Sequence, residues 1–127
     1  MTKLLLVFLG SGIGGAARHG VNIWSLKAFG PNFPAGTLIV NVVGGLAIGL
    51  IAGWFAFRVS LPWSQELRLF LITGILGGFT TFSAFSLDAM TLIERGDYAT
   101  AALYVVVSVV LAIASVAVGL AVIRSFS

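Results

Sequence analysis

Long apolar runs alternate along the chain with short segments that collect the polar and helix-breaking residues. The runs cover residues 4–24, 36–57, 69–92 and 98–123. Each reaches the ~20 residues that a helix needs to cross a hydrocarbon core about 30 Å thick. The three prolines, Pro31, Pro34 and Pro62, fall between runs, as do Glu66, Glu94 and Asp97. Proline is excluded from helix interiors because it lacks a backbone donor and clashes with the preceding turn. Segments 27–35, 58–68 and 93–97 are therefore predicted to connect helices. The expected fold is an all-α integral membrane protein of four transmembrane helices, one domain over residues 1–127. Lys3 followed by Leu4–Leu9 resembles the start of a signal peptide. The apolar character continues past Leu9 through small residues, so this run is expected to stay as the first span.

Composition supports lipid as the solvent. Hydrophobic residues make up 59% of the 127 and charged residues only 9%, too little charge to cover a soluble domain of this size. The isoelectric point near 10.0 raises nucleic acid as a partner. However, the seven Lys and Arg are scattered without a basic run, so they read as membrane-flanking and no nucleic-acid partner is expected. The absence of cysteine excludes disulfides, thiolate metal sites and thiol catalysis. His19 is the single histidine and cannot build a metal site alone. No nucleophile, base and orienting group come together in the pattern, so the chain is not read as an enzyme.

With four spans, both termini and the middle connection share a side, which carries Lys3, Arg58, Arg68 and Arg124. Lys27 and Arg95 lie on the other side, with Arg18 within or near it. This positive-inside bias is weak. A weakly biased chain can insert both ways and pair with an inverted copy of itself.

Glycine spacing predicts how the helices meet. Gly45, Gly49 and Gly53 recur every four residues on one face, as do Gly10 and Gly14, and such stripes let backbones approach closely in lipid. Gly10 to Gly15 also fits the dinucleotide pattern G-x-G-x-x-G. No acidic residue follows before Glu66 and no βαβ alternation exists, so that match is set aside.

The third run carries the densest chemistry. Between Thr73 and Ser86 it mixes glycine pairs, hydroxyls and phenylalanines. Gly77-Gly78 followed by Thr80-Thr81 is poor helix material, so a mid-membrane break is expected near residues 77–81. Irregular backbone at that depth is tolerated only where it is buried in protein or lines a cavity, and it frees carbonyls that suit a hard cation such as Na⁺. Phe82 and Phe85, three apart, would share a helical face. Their ring edges carry the positive end of the quadrupole, and the hydroxyls of Thr81 and Ser83 beside them make a polar track with aromatic walls. Asn41 has two uses open to it, as interhelical glue or as an N–H donor to a solute. Arg18 either snorkels to the interface or marks the vestibule of an anion path. No carboxylate lies deep in a span, Asp88 being the nearest, which favours a passive conduit over a proton-coupled pump.

Taken together, these residues resemble the Fluc (CrcB-type) fluoride channel family over nearly the whole chain. The likeness rests on Gly14 with Ala17-Arg18, on Gly36-Thr37-Leu38 with Asn41 and Gly44, and on the stretch from Thr73 to Ser86. It implies a dual-topology, antiparallel homodimer in the cell inner membrane, with two pores for passive fluoride export. It implies an aromatic box of Phe82 and Phe85, Asn41 donating to fluoride, and a central Na⁺ held by the carbonyls of Gly77 and Thr80. Tyr104 and Ser108 match fourth-helix positions associated with the pore. The chain departs from the family pattern at His19, Ala84, Asp88 and Leu111-Ala112, the last standing where a Gly-Ser pair is typical. A small drug/proton antiporter is the alternative, but it needs an embedded carboxylate, typically in the first helix, where this chain has Arg18. A non-transporting assembly subunit would leave the Thr73–Ser86 stretch without a purpose.

Overall fold

The computed structural model describes residues 1–57 and 64–126. Arg58 and Pro62, assigned above to the second connection, lie outside the described residues. Helix α1 spans Thr2–Phe29, α2 Ala35–Phe57, α3 Ser64–Arg68, α4 Gly77–Phe79, α5 Ser83–Glu94 and α6 Tyr98–Ser125, with a π-helical segment at Leu69–Leu76. The pieces from Ser64 to Glu94 form one interrupted span, so the protein crosses a membrane in four helical passes. It is a multi-pass membrane protein.

Helix ends follow local chemistry. α1 runs five residues past the expected limit because nothing breaks it before Gly30, which ends it at φ +80° ahead of Pro31. Gly96, also at φ +80°, turns α5 into α6, where its N–H and that of Asp97 bond to the carbonyls of Ile93 and Leu92. Residues 64–68, expected as connection, are helical. Glu66 in the first turn and Arg68 in the last both suit the helix dipole. Trp24 and Trp54 stay exposed near the ends of α1 and α2, where indoles settle at membrane interfaces.

The glycine stripes lie where backbones touch. A Cβ on Gly49 would strike the Val116 carbonyl, and one on Gly45 would come within 2.9 Å of the Ala112 carbonyl, so α2 lies directly on α6. Gly119 completes this contact from α6, 2.7 Å from the Leu46 carbonyl by the same measure. On the other side, Gly10 and Gly14 meet Phe70, Gly74 and Ile75, and Gly78 meets Ser11. The bundle is thus two tight pairs, α2 with α6 and α1 with the first half of the third span. A small apolar cluster of Phe85, Ala89, Leu92, Ala101 and Tyr104, backed by Phe33 and Leu38, joins α5 to α6. Most other large apolar side chains point outward, Phe8 at 74% and Ile113 at 66% exposure among them, which is tolerable only against lipid or another protein surface.

The third span is interrupted. Its helix stops at Phe79, Thr80 is extended at φ −84° and ψ 159°, and α5 restarts at Ser83. The glycine pair is not itself the break, since Gly77–Phe79 still forms a helical turn. The π-helical segment before it is an addition that the sequence pattern does not announce.

Candidate functional site

The break exposes backbone groups at mid-membrane depth, and side chains from two other helices take them up. From α2, Asn41 holds Thr81 at both ends: its Oδ1 accepts the Thr81 N–H at 2.8 Å and its Nδ2 donates to the Thr81 carbonyl at 2.9 Å. From α1, Arg18 Nε donates to the Gly78 carbonyl at 3.0 Å. The break also supports itself. Thr80 Oγ1 donates to the Leu76 carbonyl at 2.9 Å, and Thr81 Oγ1 accepts the Ala84 N–H at 3.1 Å. Gly44, one turn from Asn41, leaves the space into which the Thr80 methyl fits.

The break parts the carbonyls of Gly77, Phe79 and Thr80 from their helical donors. In a continuous helix Gly77 would accept from the Thr81 N–H and Thr80 from the Ala84 N–H. Here the first amide goes to Asn41 and the second to Thr81 Oγ1. The oxygens of Gly77 and Thr80 are hard donors without their helical partners, which is the chemistry a Na⁺ ion needs. The described residues contain no cluster of acidic or histidine side chains that could hold a metal.

Beside the break lies a groove of about 410 Å³. Asn41, Thr80, Thr81, Phe82, Phe85 and Ser108 line it together with Ile48, Val109, Ala112, Ile113 and Val116. The rings of Phe82 and Phe85 stand 5.5 Å apart, tilted by 44°. Phe85 is buried, whereas Phe82 is 77% exposed and forms the lip. Two residues on its wall have donor capacity left. Ser108 Oγ is buried with no partner among the described residues. Asn41 Nδ2 has a second N–H, and the two bonds to Thr81 fix which way that amide faces.

The other expected site residues are placed differently from one another. Tyr104 is fully buried behind Phe85, with ring centroids 5.2 Å apart, and its O–H donates to Asp88 Oδ2 at 3.2 Å. Neither residue lines the groove. Ser83 is exposed, its Oγ 3.4 Å from Thr81 Oγ1. Arg18 reaches the break backbone, a placement that neither snorkelling nor a vestibule role anticipates. Ala112 lines the groove without a hydroxyl, and Ser115 bonds to the Leu111 carbonyl outside it. Sequence reasoning missed the Asp88–Tyr104 bond and the Arg18–Gly78 bond. The pairing of Asn41 with the break had one available signal: lone polar groups in lipid need partners, and these two lay at similar depth.

A second cavity, about 330 Å³, lies at the membrane end formed by the α1–α2 connection and the end of α5. Asn22, Ser25, Asn32, Asp88, Thr91 and Arg95 are on its walls.

Comparison with known proteins places the chain in a family. Residues 5–120 match the family described as "CrcB-like protein, Camphor Resistance (CrcB)". A protein of Methylobacterium sp. (strain 4-46) named fluoride-specific ion channel FluC is 60% identical over 126 residues, covering 99% of both chains. The protein of the same name from Methylobacterium nodulans is 59% identical over the same coverage. A third, from Rhodopseudomonas palustris (strain BisB5), is 57% identical over 97% of this chain and 98% of its own.

Proposed function

The chain belongs to the CrcB-like family, and on that footing we propose that it is a passive, fluoride-selective ion channel. The observation that carries this reading is the groove beside the break, where the O–H of Ser108 and the second N–H of Asn41 are unspent in apolar surroundings. Fluoride is small and strongly hydrated, so a path across lipid must replace its water with donors. Charge-assisted hydrogen bonds are about twice as strong as neutral ones, and the ring edges of Phe82 and Phe85 add weak positive ends on the same wall. Asp88, the carboxylate nearest this region, is bonded to Tyr104 outside the groove, which disfavours proton-coupled exchange.

The working unit in this reading is an antiparallel homodimer of dual topology, with two pores, in the cell inner membrane. Its support is the weak charge bias, the helical spans, and a groove open on one side with Phe82 exposed at its lip. Gly77 and Thr80 offer two hard carbonyl oxygens per chain, too few to hold a cation alone. An inverted copy would double them to four around a central Na⁺.

Fluoride-loaded liposomes holding the purified protein should release fluoride rapidly, with negligible chloride release and no need of a proton gradient. Equal chloride flux, or release that needs the gradient, would sink the channel reading. Dual topology predicts that a Thr2→Cys variant is labelled from both membrane faces, and one-sided labelling refutes it. Replacing external and internal Na⁺ by a large organic cation should weaken the dimer if the carbonyls hold sodium.

A further inference from the structure

We propose that Arg18 is a positioning residue that holds the third span open through its Nε–H, and that its charge is not what the channel uses. The inference rests on the channel reading above for its flux assay and on geometry for the rest. In a continuous helix the Gly78 carbonyl would accept the Phe82 N–H. Because the helix stops at Phe79, that acceptor is stranded in a membrane that offers no water to satisfy it. Arg18, 60 positions earlier in the chain, takes it at 3.0 Å. The approach is possible because α1 lies on the backbone of this span: Gly14 sits one turn before Arg18 against the Ile75 carbonyl, and Ser11 touches Gly78.

Arg18 thus removes the cost of leaving the Gly78 oxygen unpaired, a cost that would otherwise favour return of the Phe82 N–H to it. While Arg18 holds it, Thr80 stays extended and Phe82 stays on the groove lip. Without Arg18, the Phe82 N–H returns to Gly78, the helix closes, and the ring is drawn from its place. Asn41 grips Thr81 from the opposite side, so the break is held by two helices.

Two substitutions separate a hydrogen-bonding role from a charge. The Nε2 of glutamine stands as many bonds from Cβ as the Nε of arginine and is neutral. Lysine keeps the charge but puts a carbon at that position. In liposomes at matched protein density, Arg18→Gln should keep fluoride flux within ~3-fold of the unmodified protein. Arg18→Lys should lose ~10-fold or more, the scale on which a charge-assisted hydrogen bond acts. Carbon chemical shifts of Thr80 by solid-state NMR provide a readout independent of flux: extended in the unmodified and Arg18→Gln proteins, helical in Arg18→Lys. Any result in which the two variants behave alike, or in which lysine outperforms glutamine, overturns the proposal. An unmodified protein that conducts no fluoride would instead refute the channel reading, with the Thr80 shifts still testing the clamp.

Discussion

The groove beside Phe85 and the cavity at the membrane end of α5 enclose similar volumes, about 410 and 330 Å³, from different materials. The end cavity gathers amides, hydroxyls, Asp88 and Arg95 around the α1–α2 connection. The groove has mostly aliphatic and aromatic walls with a few polar groups, each tied to the break or set in a helix wall. Near the membrane edge, water can satisfy every polar group, so none of them makes a strong demand on an ion. At mid-depth there is no such substitute, and low local dielectric strengthens each bond made and raises the penalty for each one missed. On the proposed reading, an ion is chosen where donors are few and fixed.

This contrast can be broken at named positions. The largest effect is expected from Asn41→Ala, which removes an amide from the groove wall and both bonds that hold Thr81. Fluoride efflux from liposomes should fall ~100-fold, and near-normal efflux would show that the groove is not the selective region. Ser108→Ala strips a single hydroxyl that has no other partner among the described residues, so efflux should drop ~10-fold with the fold intact by thermal melting. On that background, Ala112→Ser restores a hydroxyl one helical turn away on the same wall. It should recover about a third of the lost rate or more, if donors rather than shape limit passage. The smallest change is expected at the end cavity. Arg95→Gln should alter efflux less than ~2-fold at physiological salt, where screening acts over about 8 Å, and more at low ionic strength. A large effect of Arg95→Gln at high salt would reverse the ranking of the two cavities.

The site was legible unevenly, for physical reasons. Asn41, Thr81, Phe82 and Phe85 stand out because polar and aromatic residues interleaved with glycine are costly inside lipid unless they serve a structure. Their partners do not stand out. Nothing in the spacing of Arg18 and Gly78 says that they meet, since their contact depends on how far α1 slides along the third span. Tyr104 and Asp88 are separated by the α5–α6 turn, and only the packing of α5 on α6 sets Tyr104 against Phe85.

What the sequence determined by itself was the number of passes, their approximate limits, the glycine faces and the presence of a break. Each of these follows from local rules: lipid requires about 20 apolar helical residues per pass, small residues permit contact, and proline or paired glycine weakens helix. What only the tertiary structure decided was how the broken backbone is satisfied. Asn41 gives its amide to Thr81, Arg18 goes to Gly78, and the Gly77 and Thr80 carbonyls lose their helical donors. A hydrogen-bond partner is a matter of position to within a few tenths of an ångström, and that precision arises only when glycine-lined helices lock against each other.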